Sequence, residues 1–145
     1  MTATKRGVVA ATITRWVLIV HAALLAAQPF LAGAMLDAMS PDPQTMHRMV
    51  AMTVVTVGLI QIVMALIVWK GAAGWSRDLL NMSLILWVLE LGQFSLGHLS
   101  VAMSVHIPLG IAILALGLFL AFRYARRTPV PAAAASPSAP TPPTP

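Results

Sequence analysis

Four long apolar stretches alternate with short polar segments along the chain. A helix needs roughly 20 apolar residues to cross the hydrocarbon core of a membrane. Stretches of about this length cover residues 16–36, 47–69, 79–98 and 105–122. The pattern predicts an all-α fold, an integral membrane four-helix bundle built from two helical hairpins.

The segments outside the four spans differ from them in composition. Residues 1–15 precede the first span, and residues 128–145 are rich in proline and alanine. A proline-rich segment with little to bury resists helix formation, so we expect a disordered tail there. The chain then divides into an N-terminal segment 1–15, a bundle over 16–127 and a tail over 128–145.

The overall composition agrees with a membrane protein. Hydrophobic residues make up 59% of the chain and charged residues 9%, whereas soluble domains carry about 25% charged residues. The chain therefore cannot build an ordinary water-facing surface. Because it contains no cysteine, disulfides, thiolate metal sites and covalent c-type haem attachment are excluded.

The basic residues are distributed unevenly between the two sides of a four-span bundle. Eight of the nine lysines and arginines fall on one side: Lys5, Arg6, Arg15, Lys70, Arg77, Arg123, Arg126 and Arg127. Only Arg48 falls on the other. An excess of basic residues marks the cytoplasmic side, so we expect a multi-pass cell-membrane protein with both termini in the cytoplasm. The net charge of +5 is then a topology signal, and we expect no nucleic-acid binding.

The second and fourth spans each open with a histidine that is followed by small residues at +4 and +11. These residues are His47, Ala51 and Gly58 in the second span, and His106, Gly110 and Gly117 in the fourth. At about 100° per residue, each set lies on one face of its helix. The repeat predicts a flat hollow below each histidine. The alternative is that the small residues only let membrane helices approach closely.

The two histidines open their spans from the same side, so we expect them at similar depth. Two imidazoles on facing helices can supply both axial ligands of a b-type haem. The small residues would line the faces of this non-covalently held haem, and Arg48 is placed to pair with a propionate. Zinc is less favoured, because His98 is the only third ligand expected at that depth.

A resemblance to a known family rests on the same positions. His47-Arg48 matches the His-Arg pair of the haem A synthase motif, and His106 matches its second ligand. Residues 16–127 therefore resemble one half of the haem A synthase four-helix fold, and also a small uncharacterised family of actinobacterial four-helix membrane proteins. The synthase motif has a glutamate shortly before its His-Arg pair, where this chain has Gln44 and Thr45. The resemblance implies a haem site without haem hydroxylation.

Glu90 is the only acid within a predicted span. A carboxyl group inside a membrane is costly and marks a functional site by default. Gln28 is expected near the same depth, and the two predict a proton or quinone site. The alternative is a neutral acid hydrogen-bonded to Gln28 or to a backbone carbonyl. His21 and Gln61 also share a depth, which predicts a hydrogen bond between them.

Two classes of function follow from these patterns. The leading hypothesis is a membrane b-type haem-binding protein for electron transfer, with one bis-histidine haem near the extracytoplasmic face. The alternative is a cofactor-free accessory or assembly subunit of a larger respiratory-type membrane complex. Either fits better than a stand-alone enzyme, because the chain shows no soluble catalytic constellation. The expected partner is the lipid bilayer, with a quinone, a larger membrane complex or a second copy of the chain left open.

Overall fold

Four helices account for all the regular structure that is described. The structure is a computed structural model that describes residues 3–38, 42–71 and 75–127. The helices are α1 (Ala3–Asp37), α2 (Asp42–Gly71), α3 (Arg77–His98) and α4 (Met103–Ala125). Each is long and apolar enough to cross a membrane, where a helix has the advantage of satisfying its own backbone hydrogen bonds. The predicted all-α, four-helix fold is confirmed.

Two helices begin earlier than the hydrophobic pattern predicts. α1 starts at Ala3, inside the segment 1–15 that was expected to precede the bundle, and Ala11 and Thr14 are fully buried there. Tertiary packing thus extends α1 beyond its most apolar part. α2 starts at Asp42 rather than near residue 47, because an acid and a proline are both well accommodated in the first turn of a helix. The predicted tail, residues 128–145, lies outside the described residues.

Each helix packs against two neighbours. α1 and α3 both pack against α2 and α4, so α1 lies diagonally opposite α3, and α2 diagonally opposite α4. The Arg15 guanidinium donates a hydrogen bond to the Arg127 backbone carbonyl, which places the early part of α1 beside the end of α4. We call this end of the bundle the cationic end. The opposite end holds His47 and His106, which lie in the first two turns of α2 and α4. We call it the histidine end.

The buried residues of every helix recur at alternating intervals of three and four. They are Ala11, Thr14, Leu18, His21 and Leu25 in α1, where Ala22 beside His21 is also buried; Val54, Gly58, Gln61, Ala65 and Val68 in α2; Leu79, Ser83, Leu86 and Glu90 in α3; and Ile113, Gly117, Leu120 and Tyr124 in α4. This seven-residue repeat is typical of helices that cross at small angles and interdigitate along a narrow stripe. We call each stripe a seam. The seams form the core of the bundle.

The seams extend to the histidine end in the same rhythm. In α2 the repeat runs back from Val54 through Ala51 to His47, and in α4 it runs back from Ile113 through Gly110 to His106. The repeats of one histidine and two small residues in the second and fourth spans therefore belong to the α2 and α4 seams, at the histidine end. Both histidines are half-buried and lie on the core side of their helices.

The seam makes a matched prediction within α4. Leu120 is fully buried, whereas Leu118 is 46% exposed on the outer face of the same helix. We expect Leu120→Ala to lower the free energy of unfolding by about 2 kcal/mol, because it leaves a cavity in the core. Leu118→Ala should change the free energy of unfolding little, because that side chain lies on the outer face and its loss leaves no cavity in the core. Thermal unfolding in one detergent would compare the two, and equal losses would contradict the seam.

Candidate functional site

Apart from Thr14 and Tyr124 near the cationic end, the polar side chains of the seams form two layers, with apolar residues between them. The middle layer consists of His21, Gln61, Ser83 and Glu90. The outer layer, at the histidine end, consists of Gln28, His47, Gln93 and His106, one from each helix. Leu25, Val54 and Ile113 are buried between the layers. Each layer is a cluster of hydrogen-bonding groups inside an otherwise apolar core.

The middle layer is a connected chain of contacts. His21 Nδ1 lies 2.8 Å from Gln61 Oε1, and Gln61 Nε2 donates to Ser83 Oγ over 3.0 Å. On the other side of the imidazole, His21 Nε2 lies 3.0 Å from Glu90 Oε1. The predicted His21–Gln61 hydrogen bond is confirmed.

The partner of Glu90 differs from the one expected. Its carboxyl group contacts His21, whereas Gln28 lies two turns closer to the histidine end and its side-chain amide has no hydrogen-bond partner. The hydrophobic pattern begins the first span at residue 16 and so places Gln28 at the depth of Glu90. α1 in fact starts at Ala3, and its seam places His21 at the level of Glu90.

The direction of the hydrogen bonds fixes how the imidazole is protonated. Gln61 donates through its amide nitrogen to Ser83 and so presents its carbonyl oxygen to His21 Nδ1, which must carry the hydrogen. The 3.0 Å contact of His21 Nε2 with Glu90 Oε1 is favourable when a single proton lies between the two groups. In that arrangement the pair is uncharged, either as an acid donating to a neutral imidazole or as an imidazolium beside a carboxylate.

Gly58 makes room for this pair at the centre of the bundle. A Cβ atom at position 58 would lie 2.5 Å from Glu90 Oε2, 2.9 Å from Trp87 Cδ1 and 3.3 Å from His21 Cε1. Trp87 is held there because its Nε1 donates to the Val55 carbonyl over 3.0 Å. The hollow predicted at Gly58 is therefore filled by side chains of α1 and α3.

The glycines of α4 are also covered by neighbouring side chains. Leu25 packs directly against Gly117, and Gln93 Nε2 would lie 2.9 Å from a Cβ at position 110. The structure thus differs from the expectation of an open hollow along each stripe. Gly58 and Gly117 instead let side chains of neighbouring helices approach closely, which is the alternative explanation for the small residues.

The two histidines of the outer layer are near one another. Although α2 and α4 are diagonal, the His47 and His106 imidazoles are close enough to interact electrostatically. The Gln28 backbone also lies beside the His47 ring. The His106 ring packs on α3, where a Cβ at Gly97 would lie only 2.8 Å from its Cε1. The α3 seam, running from Glu90 through Gln93 to Gly97, is the sequence signal that could have identified Gly97.

Several buried atoms of the outer layer lack hydrogen-bond partners. They are His47 Nδ1, His106 Nδ1, Gln28 Nε2, Gln28 Oε1 and Gln93 Oε1. Leaving a buried donor or acceptor unpaired costs about 1–3 kcal/mol, and such groups call for an explanation wherever they cluster. The arrangement can therefore accept a ligand that brings coordination or hydrogen bonds of its own.

The remaining predicted site residues lie around this layer. Ala51 is half-buried on the α2 seam, and Arg48 is exposed beside His47. His98 is exposed and stacks on Phe94 with ring centroids 5.8 Å apart. Within residues 3–38, 42–71 and 75–127, no group of three or more His, Cys, Asp or Glu residues could hold a metal ion. A zinc site with three such ligands is therefore not formed there.

Comparison with known proteins adds no relative to this description. No protein-family model, no curated protein and no solved structure matches the chain. The chemistry of the two layers has to be argued from their own residues.

Two glycines provide a matched test of the middle layer. Gly58→Ala should destabilise the protein and separate His21 from Glu90, because the new methyl group would overlap Glu90 Oε2. Gly92→Ala, on the exposed face of α3 with open space at its Cβ position, should be neutral or stabilise by up to about 1 kcal/mol through helix propensity. Thermal unfolding, together with the nitrogen resonances of labelled His21, would measure both effects. Equal stability of the two variants would contradict the assignment.

Proposed function

We propose that the protein is a membrane b-type haem-binding protein for electron transfer, with His47 and His106 as the axial ligands of one haem. The observation that supports this proposal is the pair of neighbouring imidazoles on diagonal helices, each with a buried, unpartnered Nδ1. Histidines on the core faces of a bundle are a common way of holding haem iron. The haem itself would supply the one-electron chemistry.

The surroundings of His47 fit a ligating histidine. A metal-bound imidazole usually gives its other ring N–H to a carbonyl or carboxylate, which fixes the orientation of the ring. The Gln28 backbone beside the His47 ring can accept such an N–H, and the unpartnered Nδ1 leaves a nitrogen for iron. Gly97 has a comparable orienting role for His106, because only the absence of a side chain lets that ring pack on α3.

The proposed cofactor contacts are restricted to the histidine end. Ala51 and Gly110 are the seam residues next to the ligands, and Gln93 beside Gly110 has an unpartnered amide oxygen with which to accept a hydrogen bond. Arg48 is exposed at the same end and is suited to pair with a propionate. We assign Gly58 and Gly117 to helix packing, because Glu90 and Leu25 fill the space beside them.

We further propose that the bundle lies in the cell membrane with both termini in the cytoplasm. The support is the concentration of basic residues at the cationic end, which is the normal cytoplasmic signature. The histidine end, with Arg48 as its only cationic residue in the sequence, would then face the extracytoplasmic side. The haem would exchange electrons near that surface.

A second candidate is a cofactor-free accessory or assembly subunit of a larger respiratory-type membrane complex. The observation that favours it is the packing of Glu90 against Gly58 and of Leu25 against Gly117, which completes the middle of the core without a cofactor. The two candidates differ in whether the purified protein carries haem.

The orientation can be measured with fusions. A green fluorescent protein joined after Pro145 should fluoresce, because this reporter folds in the cytoplasm. Alkaline phosphatase at the same position should be inactive, whereas alkaline phosphatase joined after residue 38 should be active. The reverse pattern of phosphatase activity would invert the orientation.

The haem ligands can be tested with matched histidine variants. The purified wild-type protein should show a six-coordinate, low-spin haem spectrum, and both His47→Ala and His106→Ala should lose it because each removes one axial ligand. His98→Ala is the control at the same end, and it should keep the spectrum because His98 is exposed and stacked on Phe94. A colourless wild type, or a six-coordinate spectrum in both ligand variants, would favour the accessory-subunit candidate.

A further inference from the structure

The apolar stretches of the four helices hold only two titratable side chains, and these contact each other. Residues 16–36, 49–69, 79–97 and 107–122 contain His21 and Glu90 and no other aspartate, glutamate, histidine, lysine, arginine or tyrosine. Their atoms Nε2 and Oε1 are 3.0 Å apart. The parts of α2 and α4 within these ranges present no titratable group to the pair. A proton stored in the membrane interior would therefore have to reside on this pair.

Gln61 Oε1 faces His21 Nδ1, and His21 Nε2 faces the Glu90 carboxyl group. With a single proton between His21 and Glu90, the pair carries no net charge. A second proton would give an imidazolium beside a carboxylic acid, with a net charge of +1. Both residues are almost completely buried, so this charge would respond strongly to other charges in the same apolar medium.

The seam of α2 connects the pair to the outer layer. Gly58 touches both members of the pair, and His47 lies on the same seam eleven residues earlier. That separation corresponds to about 16 Å along a helix. The buried seam residue between them, Val54, is apolar. Charges separated by apolar protein are screened far less than charges in water.

We propose that the His21–Glu90 pair binds one proton when the site formed by His47 and His106 gains one electron, and releases it when that electron leaves. The inference rests on the proposed haem function. The electron comes from an external one-electron donor, and the proton comes from water. The pair changes from neutral to +1, which offsets the added negative charge at the histidine end. An N–H or O–H bond forms on the pair, and one O–H bond of the hydronium ion that supplies the proton breaks and leaves water.

The first experiment measures the midpoint potential of the haem-loaded protein in detergent between about pH 5 and 9, with redox mediators and dithionite as the electron donor. We expect the wild-type potential to fall as the pH rises over part of this range, because reduction takes up a proton. Glu90→Gln should lose this dependence. Asp78→Asn, the same change at an exposed acid of α3, should retain it. A purely structural role of Glu90 would leave the pH dependence unchanged.

A second measurement needs no substitution and so does not depend on a variant that folds. Glu90 is the only glutamate in the chain, so glutamate labelled with ¹³C at its side-chain carboxyl marks this group alone. We expect the infrared difference spectrum between reduced and oxidised wild-type protein to contain a carboxyl band that shifts on labelling.

Three results would overturn the coupling while leaving the haem assignment intact. They are a wild-type potential that does not vary with pH, an equal dependence in Glu90→Gln, and a difference spectrum without a label-sensitive band. A protein that binds no haem would instead overturn the proposed function, and the coupling with it. The haem spectrum, recorded first, separates the two failures.

Discussion

The contact between His21 and Glu90 is the interaction on which the middle of the bundle depends. It joins α1 to α3, which lie diagonally opposite each other in the bundle. An isolated ionisable group in a hydrocarbon medium is costly, so each residue requires the other as its partner. A contact across the centre also requires space, which the absence of a side chain at Gly58 provides. The His21–Glu90 pair therefore fixes the positions of α1, α2 and α3 along the bundle axis. It also requires a residue without a side chain at position 58 of α2.

The two polar layers meet the same constraint to different degrees. In the middle layer, Ser83, Gln61, His21 and Glu90 form an unbroken series of contacts. In the outer layer, both histidines and both glutamines retain buried atoms without partners. The middle layer is closed by the contact between His21 and Glu90, although Glu90 Oε2 also has no hydrogen-bond partner, whereas we propose that a ligand completes the outer layer. This contrast is the reason for assigning the cofactor to the outer layer and the proton to the middle one.

The sequence was sufficient for the helices and for the His21–Gln61 bond, because both depend on periodicity and on similar depth. It was not sufficient for the partner of Glu90. Which residues of α1 and α3 meet depends on where α1 begins, and the buried residues Ala11 and Thr14 extend that helix by packing rather than by hydrophobicity. Nor could spacing decide what fills the space beside Gly58 and Gly117. A small residue in a sequence shows that something approaches closely, but Glu90 and Leu25 come from other helices.

The two glycines also reveal how the halves of the chain have diverged. Gly58 of α2 receives Glu90 from α3, and Gly117 of α4 receives Leu25 from α1, so equivalent positions hold an acid in one half and a leucine in the other. By this equivalence, a second copy of the α1–α2 hairpin in place of α3–α4 would put a leucine where Glu90 is and leave His21 without an acid. A second copy of the α3–α4 hairpin in place of α1–α2 would put Leu86 where His21 is and leave Glu90 without a base. The contact between His21 and Glu90 therefore forms only between two unlike hairpins.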